Sequence, residues 1–263
     1  MTPLGNIMEN LKITIVQPDI IWEDISANLE KYSGMLENTG PTDLIIFPEM
    51  FTTGFSMQPE KLKENMDGVS VNWMKKLAKE KDASVVGSLI IEDENGKIKN
   101  RAVWVFPDGE LTFYDKRHLF TMGEEARHYA AGDEKIIVEF RGWKFYPLIC
   151  YDLRFPVWSR NVENYDVLIY MANWPSARHH VWKNLLVARA IENQSYCVGV
   201  NRTGRDGAGL NYLGNSVMVS PKGYPEFTGE VETVKTVEIS YSELHNFRKS
   251  FPLLNDRDAF DIR

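Results

Sequence analysis

Short runs rich in β-branched and aromatic residues, each bounded by turn-forming residues, recur along the whole chain. They fall at 11–16, 44–47, 84–91, 101–106, 110–114, 135–140, 144–150, 167–171, 197–201 and 215–220. Each has the length and composition of a strand. Pro107-Asp108-Gly109 joins two of them as a tight turn, because Pro presets one dihedral and Gly accepts a positive one. Gly96 and Gly142 occupy similar polar gaps. Segments with helical spacing lie between the runs. Ile25, Leu29, Tyr32 and Leu36 share one face, with Gly40 as the expected stop. Val71, Met74, Leu77 and Ala78 repeat the pattern, leaving Lys75, Lys76 and Lys79 outside. Val181, Trp182, Leu185, Leu186 and Ala188 predict a third helix running to about Gln194, and a shorter one begins near Pro156. Such alternation predicts an α/β protein, a mixed sheet or two packed sheets covered by helices. No fixed-period repeat and no Pro- or Ser-rich linker interrupts it. One domain over 1–263 is therefore expected, with 1–10 a short extension and the polar segment 252–263 a tail able to reach a partner.

Composition narrows the class. Apolar residues make up 43% of the 263 and charged residues 25%, which excludes disorder, collagen and coiled coil. The net charge of −7 argues against nucleic acid or an anionic membrane as the main partner, since phosphates need a basic face. No apolar run approaches the ~20 residues that span a bilayer. Residues 1–10 lack the basic end and apolar stretch of a signal peptide. Two cysteines, Cys150 and Cys197, make no disulfide framework, so a reduced cytoplasm is expected.

Three reactive side chains stand at the ends of strand-like runs: Glu49, Lys116 and Cys150. Strand ends near helix starts are where open α/β sheets keep their sites. A thiol between an apolar strand and the turn Tyr151-Asp152-Leu153-Arg154-Phe155-Pro156 is placed like a nucleophile, where helix-end amides lower its pKa and cradle an oxyanion. Each residue taken singly also has a bland reading. Cys150 could be packed core, Glu49 a helix cap or half an ion pair, and Lys116 a solvated loop residue. Cys197 lies inside an apolar strand and reads as packing. Of the histidines, His118 is expected to support the lysine loop and His179-His180 to open a helix at the surface. None of His118, His128, His179, His180 and His245 stands in a papain-like context. No paired-Cys or His-Glu-x-x-His pattern suggests zinc. Gly204-Arg205-Asp206-Gly207-Ala208-Gly209 lacks the ending of a phosphate loop and reads as a flexible turn near a pocket.

Three segments together resemble a known family. Ile45-Ile46-Phe47-Pro48-Glu49-Met50-Phe51, Tyr114-Asp115-Lys116-Arg117-His118-Leu119-Phe120 and Ile149-Cys150-Tyr151-Asp152-Leu153-Arg154-Phe155-Pro156 are similar, in this order, to the catalytic segments of the nitrilase (carbon–nitrogen hydrolase) superfamily. The run from Tyr151 through Asn161, with Ala172-Asn173-Trp174-Pro175, resembles the omega-amidase branch, which releases ammonia from 2-oxoglutaramate and 2-oxosuccinamate. The resemblance implies a four-layer α-β-β-α sandwich of the nitrilase type, with Cys150 as nucleophile, Glu49 as general base and Lys116 as the family lysine. A second glutamate lies before Gly132. Counting back favours Glu125, with Glu124 open. Lys116 and the Tyr151 N–H would stabilise the oxyanion, and Lys116 would lower the thiol pKa. A 2-oxo acid carries a carboxylate, so a cation belongs in the pocket. Arg154 is the candidate, its alternative being an ion pair with Asp152 or neighbours of Glu49, and Arg178 and Arg202 stand behind it. Trp174, Phe120 and Phe51 would wall the pocket, or be core. No metal or cofactor is implied, and the expected partner besides the small-molecule amide is a second copy of the chain, as homodimer or larger homo-oligomer. A carbamoyl-amide or nitrile hydrolase, and a non-catalytic binding protein on the same fold, are the alternatives.

Overall fold

A computed structural model of the chain describes residues 9–262, so residues 1–8 of the expected extension lie outside the described residues. The strands are β1 (Leu11–Gln17), β2 (Leu44–Ile46), β3 (Ser84–Glu92), β4 (Ile98–Val105), β5 (Leu111–Asp115), β6 (Val138–Phe140), β7 (Trp143–Ile149), β8 (Val167–Met171), β9 (Tyr196–Val200), β10 (Thr203–Arg205), β11 (Asn211–Leu213), β12 (Val217–Val219), β13 (Pro225–Phe227) and β14 (Thr233–Ile239). The helices are α1 (Ile25–Leu36), α2 (Pro59–Leu62), α3 (Val69–Lys81), α4 (Glu125–His128), α5 (Pro156–Ser159), α6 (His179–Asn193) and α7 (Tyr241–Ser250). No helix among the described residues is long and apolar enough to cross a membrane.

Two six-stranded sheets form, in the orders β14-β1-β2-β3-β4-β5 and β13-β12-β9-β8-β7-β6. The centre of each is parallel, β1-β2-β3 and β7-β8-β9, and the flanking pairs are antiparallel. Parallel neighbours need crossovers, which run through α1, α3, α5 and α6. Side-chain alternation then sets the layers. β1 sends Leu11, Ile13 and Ile15, and β4 sends Ala102 and Trp104, into the space between the sheets, where Phe145 and Ile169 meet them. The opposite faces send Val16, Ile45, Val103 and Val105 against Leu29, Tyr32, Met74 and Leu77 of α1 and α3. On the far side Trp182, Leu186 and Ala190 of α6 cover the second sheet. The layers run helix, sheet, sheet, helix, as the four-layer expectation requires. Strands covered on both faces read as continuous apolar runs, and for that reason they were legible in sequence.

Several elements differ from expectation. β14 pairs antiparallel with all of β1, from Leu11↔Ile239 to Gln17↔Thr233. It is an edge strand carrying Lys235 and Glu238, which hides its period. α7 was also unforeseen, although Ser240 Oγ accepts the Glu243 N–H at 3.3 Å in a capping arrangement. The turn expected at 204–209 connects a β10–β11 hairpin, with Gly204 and Arg205 inside β10. α1 stops at Leu36, short of Gly40, where the Glu37 N–H bonds to the Gly34 carbonyl. The tail folds back onto its own chain as far as Arg257. Leu254 is buried, and Arg257 donates to Asn164 Oδ1 at 3.0 Å.

Gly87 on β3 reports on this packing. A Cβ there would meet the Phe51 ring at 2.7 Å and Phe47 Cβ at 2.9 Å. Gly87→Ala should therefore overpack the segment leading into Glu49 and cost about 1–3 kcal/mol. By calorimetry its Tm should fall by several degrees, at roughly 2–4 °C per kcal/mol. Gly40→Ala, which meets nothing within 4 Å, should melt like wild type.

Candidate active site

Strand ends from both sheets meet at one place. Glu49 lies three residues beyond β2, Lys116 directly after β5, Cys150 directly after β7 and Asn173 two residues beyond β8. These are carboxyl ends, the edge where open α/β sheets collect loops and backbone donors. Separations of many tens of residues are closed by sheet stacking.

The centre is a buried ammonium. Lys116 Nζ donates to Glu49 Oε1 at 2.8 Å and to both Glu125 oxygens at 2.9 Å. Lys116 is 1% exposed, and Glu49 and Glu125 are fully buried. Asn100 Nδ2 donates to Glu49 Oε1 (2.9 Å) and Glu125 Oε1 (3.1 Å). Ser88 orients that amide, donating from Oγ to Asn100 Oδ1 at 2.9 Å and accepting the Met50 N–H at 2.8 Å. The Phe120 N–H donates to Glu125 Oε2 at 2.6 Å, and the Asn173 N–H to Glu49 Oε2 at 2.9 Å. Glu124 is instead exposed and pairs with Arg127, so Glu125 is the glutamate that reaches the lysine. Burial alone would push the Lys116 pKa down. The Glu125 and Glu49 charges outweigh it and hold the ammonium above its ordinary range. Burial raises the Glu125 carboxyl against the opposing pull of Lys116.

Cys150 is half-buried and adopts φ 44°, a left-handed conformation costly for a residue with a Cβ, of order 1–3 kcal/mol. It opens the 3-10 turn Cys150–Arg154. Asp152 holds that turn. One carboxylate oxygen accepts the Ile149 N–H (3.1 Å) and the Tyr114 hydroxyl (2.9 Å), and the other accepts the His118 N–H (3.0 Å) and faces His118 Nδ1 at 2.8 Å. His118 also stacks on Phe155 at 3.7 Å, so it supports the lysine loop as expected. The thiol corrects one expectation. Burial first, then the Glu49 charge, push its pKa well above the usual thiol range, and Lys116 only opposes them.

Tyr151, Arg154, Trp174 and Phe120 line one small cavity, about 60 Å³, with Glu49, Lys116 and Cys150. Phe120 and Tyr151 meet edge to face at 5.2 Å. Arg154 lies over Trp174 at 5.3 Å and makes no ion pair among the described residues, so the alternative pairing with Asp152 is not what holds it. Arg178, over Phe120 at 5.2 Å, is also without an acidic partner there. Arg202 is fully buried, bonded to Asp19 at 3.0 Å and placed over the Tyr212 ring at 4.8 Å, so it backs the cavity wall without lining it. Phe51 is core, stacked on Phe47 at 4.6 Å, and does not wall the cavity. Cys197 is core as expected. Sequence reasoning passed over Asn100, Asn173 and Tyr212. Asn173 was quoted only as part of the segment 172–175, and Asn100 lies between Lys99 and Arg101, where nothing in the local pattern sets it apart.

Comparison with known proteins agrees with this architecture. The sequence profile of the carbon–nitrogen hydrolase family matches residues 12–249, and the chain belongs to that family. It groups with the omega-amidase branch. It is 45% identical to omega-amidase YafV of Escherichia coli, over 97% of this chain and 100% of that one. It is 32% identical to 2-oxoglutaramate amidase of Bacillus subtilis, over 93% and 96% respectively. A CN-hydrolase superfamily protein of Xanthomonas campestris, whose crystal structure has an arsenic adduct in the active site, superposes with a TM-score of 0.95 at 43% identity, covering 97% of this chain and 100% of that one.

The electrostatics make a direct prediction. Glu49→Gln removes a charge that disfavours the thiolate and leaves Lys116 in place, so the Cys150 pKa should fall. Iodoacetamide labelling of Cys150, followed by mass spectrometry across pH, should begin at lower pH in Glu49→Gln than in wild type. An onset that does not move would contradict this account of the thiol.

Proposed function

We propose that this protein is an omega-amidase, hydrolysing the side-chain amide of small 2-oxo acids such as 2-oxoglutaramate through a thioester on Cys150. One observation carries the reading. A thiol, a carboxylate and a carboxylate-bound ammonium share a small cavity with two guanidiniums, Arg154 and Arg178, that have no acidic partner among the described residues. The names borne by the Escherichia coli and Bacillus subtilis relatives support the substrate class.

The chemistry follows from these groups. Glu49 takes the Sγ proton as sulfur attacks the amide carbon. Charge gathers on the carbonyl oxygen, where the Lys116 ammonium acts through its field and the Tyr151 N–H, in the first turn of a 3-10 segment, can donate. Glu49 hands its proton to the nitrogen, the carbon–nitrogen bond breaks and ammonia leaves. Water, deprotonated by Glu49, then attacks the thioester carbon, which releases the carboxylate and restores the thiol. Glu125 keeps Lys116 in position, and Trp174 and Phe120 wall the cavity. Arg154 grips the substrate carboxylate through parallel hydrogen bonds.

We infer further that residues 1–263 act as a single domain, supported by an apolar core that spans both sheets. Two unpaired cysteines support a reducing cytoplasm. The exposed apolar side chains Val157, Ile191, Tyr224 and Phe251 support a homodimer or larger assembly.

Ammonia release from 2-oxoglutaramate should fall at least about a thousandfold in Cys150→Ala and in Glu49→Gln. Survival of a tenth of wild-type turnover in either would overturn the assignment. Arg154→Ala should raise KM for the anionic amide about tenfold with kcat little changed, a loss expected for a charge-assisted bidentate contact. An unchanged KM would remove Arg154 from the carboxylate site.

A further inference from the structure

The cavity wall contains a buried acceptor that the protein does not satisfy. Asn173 is 4% exposed. Its backbone N–H donates to Glu49 Oε2 at 2.9 Å, and its Nδ2 donates to the Glu49 carbonyl at 2.6 Å. The amide nitrogen is thereby assigned, and Oδ1 is the atom left over. Oδ1 is buried and has no hydrogen-bond partner among the described residues. No other cavity-lining residue among those described has a buried side-chain polar atom in that state. The backbone beside it is pinned. The Trp174 N–H donates to Asn201 Oδ1 at 2.8 Å, and Asn201 Nδ2 returns a bond to the Trp174 carbonyl at 3.1 Å. A buried acceptor without a donor is a standing cost, and a ligand that supplies the donor removes it.

The surroundings define that donor. The Cys150 thiol donates to the backbone carbonyl oxygen of Asn173, Sγ to O 3.9 Å, so the residue, though not its Oδ1 by this contact, borders the point of attack. The neighbouring carboxylate oxygens are already engaged. Lys116, Asn100 and the Asn173 N–H hold Glu49, and Lys116, Asn100 and the Phe120 N–H hold Glu125. A substrate –NH2 brings two N–H donors to this end of the cavity. We propose that Asn173 Oδ1 accepts a hydrogen bond from the nitrogen of the scissile amide, making Asn173 a further catalytic residue and the one that selects amides over isosteric groups without N–H. This inference rests on the amidase reading above. The nitrogen keeps an N–H as the carbon becomes tetrahedral, so the bond to Oδ1 persists and aims the nitrogen lone pair at the proton on Glu49. A methyl ketone of the same shape offers Oδ1 nothing and leaves it desolvated.

The test separates recognition from chemistry by using full-length Cys150→Ala protein, in which no thioester forms. Calorimetry would measure Kd for 2-oxoglutaramate and for 2,5-dioxohexanoate, in which –CH3 replaces –NH2. The amide should bind at least about tenfold more tightly than the ketone, and adding Asn173→Ala should reduce that preference to about twofold or less. A purely structural Asn173, serving only to hold Glu49, would weaken both ligands alike and leave the ratio intact, which overturns the proposal. A preference of less than twofold before any change at position 173 overturns it too, so the result does not hang on the double variant folding. Ammonia release by wild-type protein separates the two claims. Release from 2-oxoglutaramate with an unmoved ratio rejects only the role of Asn173, whereas no release rejects the amidase reading and this inference with it.

Discussion

A single ammonium, Lys116 Nζ, sits in the interior between two carboxylates, and much of the site is arranged to make that tolerable. Charges are buried only when paired and fully hydrogen-bonded, and breaking such a pair costs several kcal/mol. Here the pairing leaves one excess negative charge. Asn100, the Phe120 N–H and the Asn173 N–H share it among them as donors. Those donors come from β4, from the loop after β5 and from beyond β8 in the other sheet. The cluster thus needs both sheets in register, and the sheets meet across an apolar core that makes the register unique.

The same logic extends to the nucleophile. A β-carbon at φ 44° is strained, and Cys150 stays there because Asp152 ties its turn to the opposite sheet. Tyr114 and His118, either side of Lys116, donate to the same carboxylate. Trp158 Nε1 in turn donates to the Tyr114 hydroxyl at 3.0 Å. The lysine and cysteine segments are therefore positioned by one shared buried acid. Their relative placement is a property of that network, since neither strand end could hold it alone.

What was legible in the chain, and what was not, follows from range. The interior strands announced themselves because both faces are covered and nearly every position is apolar. β14 did not, since one of its faces meets solvent and carries Thr236 and Glu238. Motif order pointed to Glu49, Lys116 and Cys150. Asn173 lay inside a quoted segment without a role, because an unsatisfied acceptor is visible only when every neighbour has been placed.

The sequence by itself determined the secondary-structure alternation, the net negative charge and the three reactive residue types at strand ends. These depend on periodicity and residue chemistry, which act over a few positions. Tertiary structure decided which glutamate meets the lysine, that Phe51 is core, that Arg154 lies over Trp174 with no acidic partner among the described residues and that burial and Glu49 push the Cys150 pKa up. It also decided which polar atom is left without a partner. Each of these depends on burial and on distances between residues far apart in the chain. Such quantities come into existence only when two sheets stack and exclude water from the space between their strand ends.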